Sequence, residues 1–336
     1  MRRLARVLCG AAIAATALLG VALRWSGVGE DWIELLRFVP YPIYLGAVLI
    51  GVAAGFIAGR RWLLAAIVAL VVVLVVVMEL SIGFGDDGDG HLRVMTYNVK
   101  AYLADRRPQN AASIIAEVVE HDADIIVMQD ADGLMDAGSP AAAPLRAAFQ
   151  KRQVYEFGQY IVASRVPMRD CRPADIPYRG QKHTYVRCTV QAFGQDVELV
   201  TAHLVSPRVG LNAARFERLA GLDEWQQNFD DRLTQARTLA TALSSVQRPM
   251  ILAGDLNAAQ HSPVLRTLQS AGLRDAFATA GRGYGYTHGH SLRPGISFLR
   301  IDHVLVSERL GVLRAFAGGP DGSDHRPVIA DLVLKR

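Results

Sequence analysis

The sequence predicts an α/β domain carried behind an N-terminal region of membrane-spanning helices. Three observations predict it. Apolar residues concentrate in the first 84 or so positions, strand-like and helix-like runs alternate after residue 92, and those strand-like runs end in polar side chains.

The chain has 336 residues, 51% of them hydrophobic, with a mean hydropathy of +0.19. Three stretches, 7–23, 38–59 and 62–84, carry the apolar excess. A spanning helix needs roughly 20 mostly apolar residues, which the second and third supply readily. The first is shorter and follows Arg2, Arg3 and Arg6, so it reads either as a spanning helix or as a signal peptide. Arg60–Arg61 lie between the second and third stretches, whereas the first loop holds Glu30, Asp31 and Glu34 beside Arg24 and Arg37. The excess of basic residues places the N-terminus and Arg60–Arg61 in the cytoplasm. A multi-pass cell-membrane protein with everything after about residue 88 outside the cytoplasm is therefore expected.

Charge adds little. Residues 1–90 hold seven Arg and seven Asp or Glu, so the net +4 belongs to the remainder. That mild excess permits an anionic substrate, and no dense basic run demands nucleic acid. Of the three cysteines, Cys171 and Cys188 fall in the extracytoplasmic part, where a disulfide between them is possible.

The elements follow in order. Residues 85–91 (GDDGDGH) read as a flexible acidic linker, without the spacing of a calcium loop. Residues 92–99 are strand-like. Residues 108–121 open with Pro108 and put Ile114, Ile115, Val118 and Val119 on one helical face. Residues 124–130 form a short buried strand. Residues 184–204 read as two strands around a turn at Gly194, and 213–246 as a long polar-faced helical stretch. A buried strand at 249–258 ends in acid and amide. Next, 262–273 has Ser262 at the N-cap, Pro263 in the first turn and Gly272 at the stop. Strands at 299–307 and 325–334 close the chain.

Five of these strands carry Asn98, Gln129–Asp130, His203, Asp255 with Asn257, and Asp302–His303 at or near their ends, and Asp324–His325 opens a sixth. Buried strands gain nothing from terminal carboxylates unless something satisfies them. A divalent cation and a phosphate would. Residues so far apart in sequence can converge on one cleft.

MTYNV, DIIVMQD, VTAHL, LAGDLNA, RIDHVLVS and GSDHRPV occur here in the order found in the endonuclease/exonuclease/phosphatase superfamily, which residues 92–334 resemble. The resemblance implies a four-layer α/β sandwich, with two mixed sheets flanked by helices, over 92–336. It implies a divalent-metal-dependent phosphoesterase using Mg²⁺ or Mn²⁺ on a nucleic acid or on a phospholipid or inositol phosphate head group; no protein partner is expected. Asp130 matches the metal-binding acid, which is Glu in the family, so Asp132 could assist the shorter side chain. Asp324 would supply a second metal contact or steady the same region. Asn98 would hold the metal-side acid and the phosphate. Asp255 would orient or deprotonate the attacking water, and Asn257 would donate to a non-bridging phosphate oxygen. His325 would transfer the proton with Asp302 on its other ring nitrogen, and His203 would lie near the phosphate or leaving group. The shortened acid also admits a non-catalytic membrane-tethered binding module. His288 and His290 are expected in a solvent-facing loop at the substrate entrance, and His303 on the opposite face of its strand.

Overall fold

The structure, a computed structural model, describes residues 1–25, 27, 29, 31–106, 108–290 and 296–336; Glu30, one of the acids of the first loop, lies outside them. The apolar N-terminal stretches form helices α1 (Arg2–Trp25), α3 (Tyr41–Ala58) and α4 (Arg60–Val72), the last prolonged by a π-helical turn to Val77. The helices Arg2–Trp25, Tyr41–Ala58 and Arg60–Val77 are each long and apolar enough to cross a membrane. A short helix, α2 (Asp31–Arg37), bridges the first two.

The third helix stops earlier than the apolar run suggests. At Glu79 the backbone turns to a positive φ of 60°. Ser81–Ile82 (β1) then pairs with Arg282–Gly283 (β11) in the following domain. Residues 85–91 differ from the expected flexible linker. The Asp86 N–H donates to Val312 O (2.7 Å), and Asp86 Oδ2 accepts from Arg274 Nη2 (2.8 Å) and Val312 N (3.1 Å). Asp89 already begins a strand and pairs with Arg336. These acids have basic and backbone partners that are remote in sequence, which local composition does not reveal.

The remaining strands are β2 (Asp89–Asn98), β3 (Ile125–Gln129), β4 (Gln153–Phe157), β5 (Tyr160–Ser164), β6 (Met168–Asp175), β7 (Thr184–Ala192), β8 (Gln195–His203), β9 (Met250–Asp255), β10 (Leu273–Asp275), β12 (Asp302–Ser307), β13 (Leu310–Ala317) and β14 (Val328–Leu334). They build two mixed six-stranded sheets. The first runs β13-β14-β2-β3-β5-β4 and the second β10-β12-β9-β8-β7-β6. Within them β2–β3 and β8–β9 are parallel, and the other pairs antiparallel.

Alternation along each strand sends side chains to two faces, and the buried clusters show where each face goes. Val94, Ile125 and Val127 of the first sheet meet Leu199, Ile251 and Val304 of the second between the sheets. The outer face of the first sheet, with Met95, Tyr97 and Met128, packs on Ile114 and Val118 of a helix at Pro108–His121. Val200, Ala202 and Leu252 of the second pack on Phe229, Leu233 and Leu239 of a long helix, Arg218–Ser244, and on Leu265 and Leu268 of another, Pro263–Gln269. Four layers result, as the resemblance implies. Short helices at Ala101–Arg106, Ala142–Ala148, Arg208–Phe216 and Ala276–Ala280 complete the domain.

Local signals explain several boundaries. Phe193 and Gly194 both take positive φ, which makes the tight turn between β7 and β8. Ser262 caps its helix by accepting from Val264 N, and Pro263 follows at the first position. The long helical stretch is divided at Glu217, between the helices ending at Phe216 and beginning at Arg218. Cys171 and Cys188, on neighbouring strands β6 and β7, form a disulfide.

Gly254 is fixed by close approach. A Cβ there would lie 1.9 Å from the Ala202 carbonyl oxygen, across the parallel pair that carries His203 and Asp255. Gly254→Ala is expected to destabilise the fold by about 3 kcal/mol. Thermal unfolding of the detergent-solubilised chain should show a midpoint about 6–12 °C lower; an unchanged midpoint would contradict this packing.

Candidate active site

Strand register brings the polar strand ends together. In the first sheet Asn98 lies beside Gln129 at the carboxyl ends of the parallel pair β2–β3. In the second, His203 lies beside Asp255 at the ends of β8–β9, and Asp302 opens β12 directly opposite Asp255. β14 runs antiparallel to β2 with Val328 opposite Thr96, so His325, three residues earlier, arrives over the same end. The convergence of the strand ends is thus a property of pairing, and Asp130, Asn257 and His325 lie just beyond those ends.

Asp255 sits at the centre and is buried. Its Oδ2 accepts from Asn98 Nδ2 (2.8 Å) and its Oδ1 from the Asn257 backbone N–H (3.0 Å). The same Oδ2 lies 3.4 Å from His203 Nε2 and 3.8 Å from His325 Nε2. Asn257 takes a left-handed backbone with φ 47°, a conformation asparagine tolerates better than most residues. Its amide donates one proton to Leu204 O (2.8 Å), which leaves the second for a ligand.

His325 Nδ1 lies 2.9 Å from Asp302 Oδ2. Burial lowers the imidazole to about 4, against the opposing pull of Asp255, so it is neutral at pH 7. Burial likewise pushes the Asp302 carboxyl up to about 6, while the surrounding histidines pull it down. At neutral pH the pair is therefore carboxylate and imidazole. With the proton on Nδ1 held by Asp302, Nε2 keeps a lone pair facing the centre. Ser323 Oγ, which donates to Asn98 O (2.7 Å), also accepts from the His325 N–H (3.2 Å).

Asp130, with φ 49°, carries its carboxylate between Lys100 and His203. Lys100 Nζ donates to Oδ2 at 2.5 Å, and His203 Nδ1 is 3.4 Å from Oδ1 and 2.6 Å from Gln159 Oε1. Although burial opposes ionisation, His203 and Lys100 hold the Asp130 carboxyl well below the usual carboxylate range. Burial also works against the His203 cation, but the hydrogen bond and charge of Asp130 and the charge of Asp255 prevail and raise its pKa. The Tyr160 hydroxyl accepts the His203 backbone N–H (3.0 Å) and donates to Thr184 O (2.7 Å), which fixes the end of β8.

Asn98, Asp130, His203, Asp255, Asn257, Asp302 and His325 thus share one site. Asp324 enters it differently, since its backbone carbonyl is tied to His288 Nδ1 (2.9 Å). His288 departs from the expected solvent-facing loop. Its ring lies 4.6 Å from that of His325 and walls the site, and burial together with His325 lowers it to about 4. His290 is likewise turned inward, on Ser323 O (2.9 Å). His303 faces the other way, on Asp275 and Ala258 O. Lys100 and Gln159 escaped the sequence reading. Lys100 stands two residues after Asn98, a signal that only the neighbouring strand end makes meaningful.

The donor set suits a hard divalent cation. Asp255, Asp302 and His325 each offer a ligand atom within 4.8 Å of the others. Asp302 Oδ1 is buried with no hydrogen-bond partner among the described residues.

A mixed double-sheet sandwich with this polar end is the architecture of a phosphoesterase family. The model of the endonuclease/exonuclease/phosphatase family matches residues 95–325, more than half of the chain, and the protein belongs to that family. Among solved structures it is similar to an endonuclease/exonuclease/phosphatase family protein from Leptotrichia buccalis (18% identity over 72% of this chain and 100% of that one, TM-score 0.53). It is also similar to an endonuclease/exonuclease/phosphatase from Bacteroides vulgatus (18%, 74% and 100%, TM-score 0.55). A third is D. rerio TDP2 complexed with a single-strand DNA product (14%, 73% and 99%, TM-score 0.54). At these identities the likeness is one of fold. No curated protein matches the sequence.

The Asp302–His325 pair generates a pH prediction. Below about pH 6 Asp302 is protonated and no longer holds the imidazole as an anion, so kcat/KM on a phosphodiester should rise with pH through about 6. Asp302→Asn should lower kcat/KM about a hundredfold or more and remove that limb. A limb that stays near pH 6 in the variant would assign it to another group.

Proposed function

We propose that this protein is a membrane-anchored, divalent-metal-dependent phosphodiesterase. The observation that carries the reading is the buried group in which Asp255 meets Asn98, His203 and His325 while Asp302 backs the His325 ring. Mg²⁺ or Mn²⁺ would be held from Asp130 and Asp324 with Asn98 beside them, and the Asp255 and Asp302 carboxylates offer further donors. The ion would supply charge to polarise a non-bridging phosphate oxygen.

The protein's own groups do the rest. His325 Nε2 accepts a proton, Asp302 holds the opposite ring nitrogen, and Asp255 orients the nucleophilic water. Asn257 donates its free amide proton to a phosphate oxygen. Lys100 and His203, whose pKa is raised, offset the charge that develops there. The intact acid, amide and imidazole set favours an enzyme over a non-catalytic tethered module.

The substrate is a phosphodiester of nucleic acid or of a phospholipid head group. A DNA product in a protein of the same fold supports the first, and the apolar helices, which would keep the site near lipid, support the second. The domain is proposed to lie outside the cytoplasm. Arg2, Arg3, Arg6 and Arg60–Arg61 at the opposite helix ends support this, as does the Cys171–Cys188 disulfide, a bond that persists in oxidising compartments.

The full chain in detergent micelles, offered plasmid DNA, single-stranded DNA, sphingomyelin, phosphoinositides and a chromogenic phosphodiester, should turn over at least one with Mg²⁺ or Mn²⁺. EDTA should abolish turnover, and His325→Ala should lower kcat by about a hundredfold or more. Turnover that survives either treatment would sink the mechanism. A phosphatase reporter fused after Arg336 should be active only if the domain is extracytoplasmic; an inactive reporter on an expressed fusion would reverse the topology.

A further inference from the structure

The loop from Asp255 to Ser262 carries the centre of the site, and its supports lead out of the domain. Arg232, fully buried on the long helix Arg218–Ser244, donates from Nη1 to Asn257 O (3.0 Å). Its guanidinium lies 5.5 Å from the ring centre of Phe38, 5.3 Å from Trp225 and 5.7 Å from Phe229. An arginine so enclosed needs a counter-charge. Glu34 of α2, only 1% exposed, brings its Oε1 to 3.7 Å from Arg232 Nη1. The same Oε1 accepts from Ser262 Oγ (2.7 Å), the residue that caps the helix following the loop. Arg37 Nε closes on the other oxygen of Glu34 at 3.0 Å.

One carboxylate therefore grips both ends of the loop, Asn257 through Arg232 and Ser262 directly. It comes from the short segment between the first two apolar helices. That segment is seated firmly: Trp225 Nε1 donates to Asp31 O (2.7 Å), and the Phe38 ring meets Trp225 edge-on at 5.6 Å. Burial lowers the Arg232 guanidinium to about 10, with Glu34 and Asp231 opposing, so it remains a cation at neutral pH.

We propose that Glu34 and Arg232 are positioning residues for the Asp255–Asn257 loop, which makes α2 of the membrane region a working part of the active site. Asn257 sits in a left-handed conformation that persists only where its surroundings impose it. Its backbone N–H is held by Asp255, its side chain by Leu204 O and its carbonyl by Arg232. Without Glu34 the third hold is a buried cation lacking its anion, free to pull away from the carbonyl. The phosphate-facing amide would then lose its aim while the rest of the cleft stays intact.

The test uses the full chain in detergent micelles with a chromogenic phosphodiester, and reads kcat, KM and amide hydrogen exchange over residues 255–262. Its activity arm rests on the phosphodiesterase reading; its exchange arm does not. Glu34→Gln keeps the volume and an acceptor for Ser262 but removes the charge, so it carries the test even if Glu34→Ala fails to fold. It should lower kcat about tenfold with KM within about twofold, and speed exchange of the loop. Glu34→Asp, which restores the charge, should recover part of the lost kcat. Trp32→Ala, at an exposed residue of the same helix, should match the wild type in every reading. Wild-type kcat and wild-type exchange in Glu34→Gln would overturn the proposal and leave the phosphodiesterase reading standing. If the wild-type chain turns over nothing, that reading falls, and faster or unchanged loop exchange in Glu34→Gln still decides for or against the positioning role.

Discussion

The Asn98–Asp255 hydrogen bond joins the two sheets at their polar ends. Elsewhere the space between them is filled mainly by Val, Leu, Ile and Ala, with Tyr160, Cys188 and Phe277 among them. At this end the contacts change character. Asn98 of the first sheet donates to Asp255 of the second, Gln129 Nε2 donates across to Thr201 Oγ1 (3.0 Å), and the Tyr160 hydroxyl takes the His203 N–H. Buried polar groups must be satisfied, and here each sheet satisfies the other. The sandwich is sealed by its own active-site residues, so fold and site share one set of bonds. A substitution at Asn98 or Asp255 therefore acts on both at once.

Much of this was legible in the sequence because it depends on local signals. Apolar runs ending in Asn98, Asp130, His203 and Asp255 mark strands whose ends need a polar environment, and Ser262–Pro263 announces a helix start. The convergence of those ends needs only parallel pairing of β2 with β3 and of β8 with β9. What the sequence hides is partnership at a distance. The acids of residues 85–91 look like a tether until Arg274 and Arg336 are found beside them. Lys100 is an ordinary loop lysine until Asp130, 30 residues on, supplies its anion. His288 and His290 look like loop histidines because nothing local shows that Ser323 and Asp324 come back over them.

The same blindness to distance hides how the segment between the first two apolar helices meets the domain. Glu34 and Arg37, three residues apart on a seven-residue helix, resemble a solvated ion pair. In the folded chain both are nearly inaccessible, and Glu34 faces an arginine about two hundred residues later. Burying two arginines and a glutamate is costly unless geometry compensates. The compensation comes from the aromatic rings around Arg232, from Ser262 and from the Asn257 carbonyl. A carboxylate retained at such a position is better explained by what it holds in place than by stability, since apolar residues would fill the same space with less desolvation.

Charge within the site points the same way as its donors. Asp130, Asp255 and Asp302 bring three carboxylates, against which Lys100 sets a cation and His203 an imidazole whose pKa is raised. His325 contributes none at neutral pH, because burial keeps its imidazole uncharged. A phosphodiester would bring one more negative charge into this space, opposite groups that already carry an excess of it. Screening by water is weak where Asp255 and Asp302 are each 1% exposed. A divalent cation would reverse the balance. The shorter acid at 130 fits the same account. Its carboxylate lies against Lys100 and His203 at the rim, while the Asp255 and Asp302 carboxylates stand further inside.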